Sequence, residues 1–153
     1  MRNYYRIILG KKNAYAEEAY KGNFIAAGFI KDLDLTNQLS DNKRSFNEVF
    51  IPIFLKQNPD KTKISAGLAC GMLWTIAKEI QIGDVVICPN GKGSYYAGEI
   101  TSNYEFHKDE VLLHHRAVQW FSKTIPRDQM SESLRNSTGS VGTVSNISKY
   151  ANE

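Results

Sequence analysis

The sequence predicts an α+β fold in which a curved sheet of about six mostly antiparallel strands closes into a barrel with helices packed around it. Three observations predict it. Apolar residues follow the 3.6-residue helical period through Ile80 and change to a strand period after Gly83. The elements run β-α-β-α-α-β-β-β-β-α, which is neither strict β/α alternation nor all-β. After Gly83 the strands follow one another through short turn-forming segments such as Asn90-Gly91-Lys92-Gly93.

Each element has its own signal. Tyr4–Leu9 reads as a strand stopped by Gly10. Asn13 is placed to cap a helix over Ala14–Lys21, with Glu17 and Glu18 near its start and Gly22 ending it. Asn23–Phe29 is small, apolar and suited to a strand, and Asp32–Ser40 is polar and turn-rich. Ser45 opens a short helix through Lys56 that Pro52 should kink or split. Thr62–Ile80 is the strongest helix, with an apolar stripe at Ile64, Leu68, Met72, Leu73, Ile76 and Ile80 and with Trp74 beside it as a core residue. Strands follow at Asp84–Pro89, Ser94–Thr101, Tyr104–Phe106 and Arg116–Ser122. Tyr95 and Tyr96 face opposite sides of their strand, so one belongs to the core. Pro126 opens a short helix over Arg127–Asn136, and Thr143–Ile147 adds a last strand or turn.

A chain of 153 residues is one domain by length, taken here as residues 1–147 with a polar tail or linker stub at 148–153. Its 42% hydrophobic content is ordinary for a folded protein. Nineteen Lys and Arg against 16 Asp and Glu leave a net charge of +3, which permits a polyanionic partner without demanding one. No apolar run approaches a membrane span, and the N-terminus has no signal-peptide core. Cys70 and Cys88 are isolated within apolar stretches and read as buried thiols of a cytoplasmic protein.

Catalytic signatures are missing. There is no GxSxG elbow, Walker loop or HExxH, and no convincing carboxylate–lysine set of a restriction nuclease. The expectation is a protein with no catalytic residues, cofactor or metal. Of His107, His114 and His115, the adjacent pair points to opposite faces of a strand and cannot readily share an ion.

One ordered series of segments is more informative. Gly83-Asp84-Val85-Val86-Ile87-Cys88-Pro89 is followed by Tyr96-Ala97-Gly98-Glu99-Ile100 and by Tyr104-Glu105-Phe106. Next come His115-Arg116-Ala117-Val118-Gln119-Trp120 and Ile125-Pro126-Arg127, and an earlier segment, Gly22–Phe29, belongs to the same pattern. Together they resemble the EVE and YTH branch of the PUA-like superfamily. In particular they are similar to the N-terminal modified-DNA reader domains of McrB- and Mrr-type restriction proteins. The resemblance runs from about Tyr4 to Ile147 and implies a PUA-like (EVE/YTH-type) barrel.

It also implies a function. Such domains hold one base, often modified and flipped from a duplex, in an aromatic pocket. Each stacked base contributes about 1–3 kcal/mol, set against a few kcal/mol for unstacking it. By this resemblance Phe29 stands where the family has a pocket tryptophan, and it is either a pocket wall or core. Tyr104 and Phe106 share a strand face and form either the opposite wall or ordinary barrel packing. Asp32 and Asp34 are placed to accept from an exocyclic amine or to serve a turn. Trp120 corresponds to a structural barrel tryptophan. Contacts to the nucleic-acid backbone would come from Lys92, Arg116, Lys123, Arg127 and Arg135.

The function so implied is the DNA-specificity module of a modification-dependent restriction or defence system, partnered by a fused or separate nuclease or NTPase. An RNA-binding module of the same fold is one alternative. A free-standing nucleotide-processing enzyme or small-ligand sensor is another.

Overall fold

Eight strands form one mixed sheet, and three helices and a π-helical turn pack on it. The computed structural model describes residues 2–9, 14–108, 110, 112–131 and 144–148. Along the chain the elements are β1 (Tyr4–Ile7), α1 (Ala16–Gly22), β2 (Phe24–Ala27), α2 (Lys43–Gln57) and α3 (Lys63–Trp74). The π-helical turn (Thr75–Glu79) follows, then β3 (Val85–Pro89), β4 (Ser94–Ile100), β5 (Glu105–Phe106), β6 (His114–Trp120), β7 (Ile125–Pro126) and β8 (Val144–Asn146).

The strand order is β2-β6-β4-β3-β1-β8, with β5 added to β6 and β7 to β4. β1 and β3 run parallel, Tyr4 opposite Val85, and every other pairing is antiparallel. The curl is made on β6. Its first half pairs with β2 and β5, whereas its last residues, Val118–Trp120, pair with β4. Among the described residues β2 and β8 stay at the two ends of the order, so the sheet is curled and only partly barrel-like.

The helices differ from expectation in instructive ways. Asn13 lies outside the described residues, and Tyr15 precedes the first turn of α1. α2 begins earlier than expected because Asn42, not Ser45, is its cap: its side chain accepts from the Ser45 amide at 2.8 Å. Pro52 does not split α2. It sits on the exposed side, while Phe46, Phe50 and Phe54 form a buried stripe that holds the helix to the core. α3 is capped by Thr62, whose hydroxyl accepts from the Ser65 amide. The apolar stripe expected on α3 is half wrong. Ile64 and Leu68 are 79% and 65% exposed, and the buried face is Ala66, Ala69, Cys70 and Leu73. The helix turns its small residues inward, and periodicity weighted toward large side chains misses such a face.

Past β7 the described start of the expected helix is one 3₁₀ turn, Arg127–Gln129, and the rest of that expected helix, beyond Ser131, lies outside the described residues, which resume at β8. β8 fulfils the strand expected near Thr143–Ile147, and Ser148 ties it to β1 by accepting from the Tyr4 amide at 3.0 Å. No described helix is long and apolar enough to cross a membrane.

Two short motifs are explained by the fold itself. Gly83 has φ +97, in the left-handed region that favours glycine. It lets the chain turn so that Asp84, only 2% exposed, accepts from the Asn3 amide at 2.9 Å and the Gln81 amide at 2.8 Å. That carboxylate ties β1 to the start of β3. Gly98 is required by close approach. A Cβ there would lie 2.5 Å from Val118 Cγ1, 2.8 Å from Trp120 Cε3 and 2.9 Å from the Gln119 carbonyl oxygen. Gly98→Ala should therefore lower stability by about 2–3 kcal/mol, the usual cost of overpacking a dense site. A urea-denaturation midpoint equal to wild type would refute this.

Candidate functional site

β6 opens with three consecutive buried polar residues, His114, His115 and Arg116. Alternation sends His114 and Arg116 to the inner face and His115 to the outer one. Polar groups in such places must find partners, and these do so largely on main-chain carbonyls.

Arg116 is 2% exposed. Its Nη1 donates to the carbonyls of Ile76 at 2.9 Å and Ile80 at 2.6 Å, and its Nε to that of Ser102 at 2.8 Å. The first two carbonyls belong to the end of the π-helical turn, where helix geometry leaves acceptors without intrahelical donors. Burial pushes the guanidinium down to about 10. Arg116 therefore does not reach a phosphate, and its expected role is corrected to a structural one.

His114 organises the residues expected to form a base pocket. Its Nε2 lies 2.8 Å from the Ile30 carbonyl, which can only accept, so Nε2 carries the proton. Nδ1 is then an acceptor, and the Tyr104 hydroxyl donates to it at 2.7 Å. The Tyr104 oxygen in turn accepts from the Leu35 amide at 3.1 Å. This chain bolts the 29–35 loop to β6. Burial holds His114 below the ordinary histidine range and raises the Tyr104 hydroxyl to about 12.

The loop so held is strained. Ile30 has φ 57 and Asp32 φ 59. The left-handed region is costly for a β-branched side chain, on the order of 1–3 kcal/mol. Ile30 is nevertheless 1% exposed and its carbonyl is fixed by His114. Phe29 precedes it, half-buried against the core. The rings of Tyr104 and Phe106 stand 5.7 and 5.9 Å from that of His114. Tyr104 and Phe106 thus flank one buried histidine, which the sequence marked only as a metal-ligand candidate, and Phe29 precedes Ile30, whose carbonyl that histidine holds. Asp32 and Asp34 are exposed on the same loop. Asp34 closes an Asx-type turn through Oδ1, which accepts from the Thr36 hydroxyl and amide, and these bonds hold its carboxyl below the usual range.

The expected cationic contacts lie elsewhere. Lys92 is exposed at the β3–β4 turn, Lys123 is exposed between β6 and β7, and Arg127 flanks β7 with its amide on the Gly93 carbonyl at 2.9 Å. Arg127 also donates from Nη1 to Tyr95 at 3.0 Å. All three belong to segments beyond the Trp120 end of the β4–β6 ladder, the end away from His114. Arg135 lies outside the described residues. Trp120 packs on the core and donates to the Ala19 carbonyl at 3.1 Å, next to the stacked rings of Tyr20 and Tyr96. Trp74 is half-buried against the core and donates to the Ser40 carbonyl at 2.8 Å. Tyr95, not Tyr96, is the buried member of its pair, and both cysteines are buried and free.

The fold and this site define a small α+β protein in which a curled mixed sheet presents a strained, histidine-anchored loop beside an aromatic cluster. By sequence the chain belongs to the family described as domain of unknown function (DUF8426), whose family model matches residues 5–148. No curated protein matches it.

Two substitutions test the frame. Arg116→Met leaves buried carbonyls without donors and should cost about 3 kcal/mol or more. Tyr104→Phe removes the link between His114 and Leu35 and should cost about 1–3 kcal/mol. Equilibrium denaturation measures both, and wild-type stability of either variant would contradict the role given to that side chain.

Proposed function

We propose that this chain is a PUA-like nucleic-acid-binding module of the EVE/YTH type that captures a single base, modified and flipped, against Phe29, Tyr104 and Phe106. In this role it is the DNA-specificity part of a modification-dependent restriction or defence system, with cleavage or translocation carried out by another domain or subunit. The observation that carries the proposal is the loop at Phe29–Asp34. Backbone strain at Ile30 is retained, and a largely part-buried hydrogen-bond chain from Leu35 through Tyr104 and His114 to Ile30 holds it in place. Strain of this kind collects where a fixed shape is used for binding. The loop presents an aromatic ring and two carboxylates, the groups that stack on a base and accept from its exocyclic amine. Phe29 replaces the indole expected by resemblance with a smaller ring that has no N–H.

Tyr104 has its hydroxyl committed to the frame, so in this proposal it contributes only its ring face. Lys92, Lys123 and Arg127 lie beyond the other end of β6 from the loop, so in this proposal they engage the backbone away from the captured nucleotide.

Fluorescence anisotropy with methylated, hydroxymethylated and unmodified duplexes, and with single-stranded RNA, tests this. Phe29→Ala should weaken binding to the preferred ligand by about 5- to 150-fold, corresponding to about 1–3 kcal/mol of stacking. Lys92→Ala should weaken all duplexes alike and reduce the salt slope by about one. A preference for single-stranded RNA would redirect the proposal to RNA. Equal, negligible binding to every ligand at low salt would sink it.

A further inference from the structure

The outer face of β6 carries a second cluster, separate from the loop that His114 anchors. The hairpin of β5 and β6 sets Glu105 opposite His115 and Phe106 opposite His114. His107, just past β5, then falls on the same face as His115, and the two imidazoles stack with centroids 3.8 Å apart. Glu110 reaches over both. Its Oε2 lies 2.7 Å from His115 Nε2 and 3.4 Å from His107 Nδ1. The ligand atoms of His107, Glu110 and His115 all lie within 4.8 Å of one another.

We propose that His107, Glu110 and His115 bind a divalent transition-metal ion of the zinc class. Zinc–nitrogen and zinc–oxygen bonds of about 2.0–2.2 Å in a tetrahedron set neighbouring donor atoms roughly 3.3–3.6 Å apart. Glu110 stands 2.7 and 3.4 Å from the two histidines, all three ligand atoms lie within 4.8 Å of one another, and on metal binding the stacked rings turn toward each other for both nitrogens to face one ion. Two imidazoles and one carboxylate are also a ligand set suited to zinc, cobalt or nickel.

His107 lies between two carboxylates, its Nε2 3.2 Å from Glu105 Oε1 and its Nδ1 3.4 Å from Glu110 Oε2. An ion on Nδ1 would take the place of the proton that a charged imidazole shares with Glu110. Glu105 is then the outer carboxylate that orients a ligating histidine, an arrangement metal sites use repeatedly. His115 Nε2 also points at the Leu112 carbonyl, 2.6 Å away. On metal binding it exchanges that hydrogen bond for the ion, with its proton moving to Nδ1.

The cluster borders a cavity of about 200 Å³, where Tyr15, Glu18, Phe24 and Leu112 join Glu110 and His115 in the wall. Three protein ligands beside an accessible cavity leave a coordination position for water or an exogenous group. The site lies on the opposite face of β6 from the proposed base-binding loop and does not depend on that function.

Titration of the tag-free, metal-stripped full chain with Co²⁺, followed by Zn²⁺ competition, tests the assignment. Binding of one equivalent, with the intense visible absorption of four-coordinate cobalt and its displacement by zinc, is expected. His107→Ala and Glu110→Gln alter partly exposed residues, so both should keep the wild-type circular dichroism spectrum and weaken cobalt binding by at least about tenfold. Glu105→Gln should retain the site with reduced affinity. Absence of stoichiometric cobalt binding, or binding unchanged in folded His107→Ala and Glu110→Gln, would overturn the proposal.

Discussion

The guanidinium of Arg116 is the constraint on which the rest of the sheet depends. A charged group buried in mid-strand is tolerated only when its donors are used, and Arg116 uses them on the carbonyls of Ile76, Ile80 and Ser102. Two of these acceptors lie where the π-helical turn ends. The bonds therefore fix how α3 and its extension sit on β6, and through β6 how β2 and β4 diverge into the curl. The turn then leads through Ile80 and Gly83 to Asp84, which collects the amides of Asn3 and Gln81. One buried cation and one buried carboxylate thus join the helical half of the chain to the sheet by main-chain contacts, so many side-chain sequences are compatible with the same junction.

Much of this was legible in the sequence. β-propensity and turn residues located β1 through β4, and Gly83-Asp84 marked a junction because only glycine turns there without strain and only a short carboxylate reaches both amides. Gly98 was legible as a motif but not as a reason, since its cause is the approach of β6 across the sheet. Other elements were hidden for physical causes. The inward face of α3 is built from alanine and cysteine, so its large apolar residues pointed the wrong way. Arg116 read as a phosphate contact because nothing local distinguishes a buried arginine from a solvated one. Its partners lie 14 to 40 residues away in sequence.

The candidate site was legible in part. Phe29, Tyr104 and Phe106 were marked as aromatic, but His114, which Tyr104 and Phe106 flank, is visible as an organising residue only once β5 is registered against β6. The same register brings His107 to His115. The adjacent pair His114-His115 drew attention to the one combination that a strand forbids, while the permitted combination joined residues of two strands. Strand alternation was correct as a rule and incomplete as a search, because ligands on one face of a hairpin come from both of its strands.

Several motifs behind the family resemblance are thereby accounted for without any ligand. Gly83-Asp84, Gly98, Arg116 and Trp120 each serve packing or main-chain hydrogen bonding. What structure alone leaves unexplained is the strain at Ile30 and the grouping of His107, Glu110 and His115. The two sit on opposite faces of one strand, in adjacent residues His114 and His115, each face closed by a different loop. The basic residues stand beyond the Trp120 end of the β4–β6 ladder, the end away from His114. A ligand short enough to fill only the loop cannot reach that end. In the proposed function the two ends act on one molecule only when it is an extended strand or duplex, with recognition at the strained loop and charge neutralisation away from it.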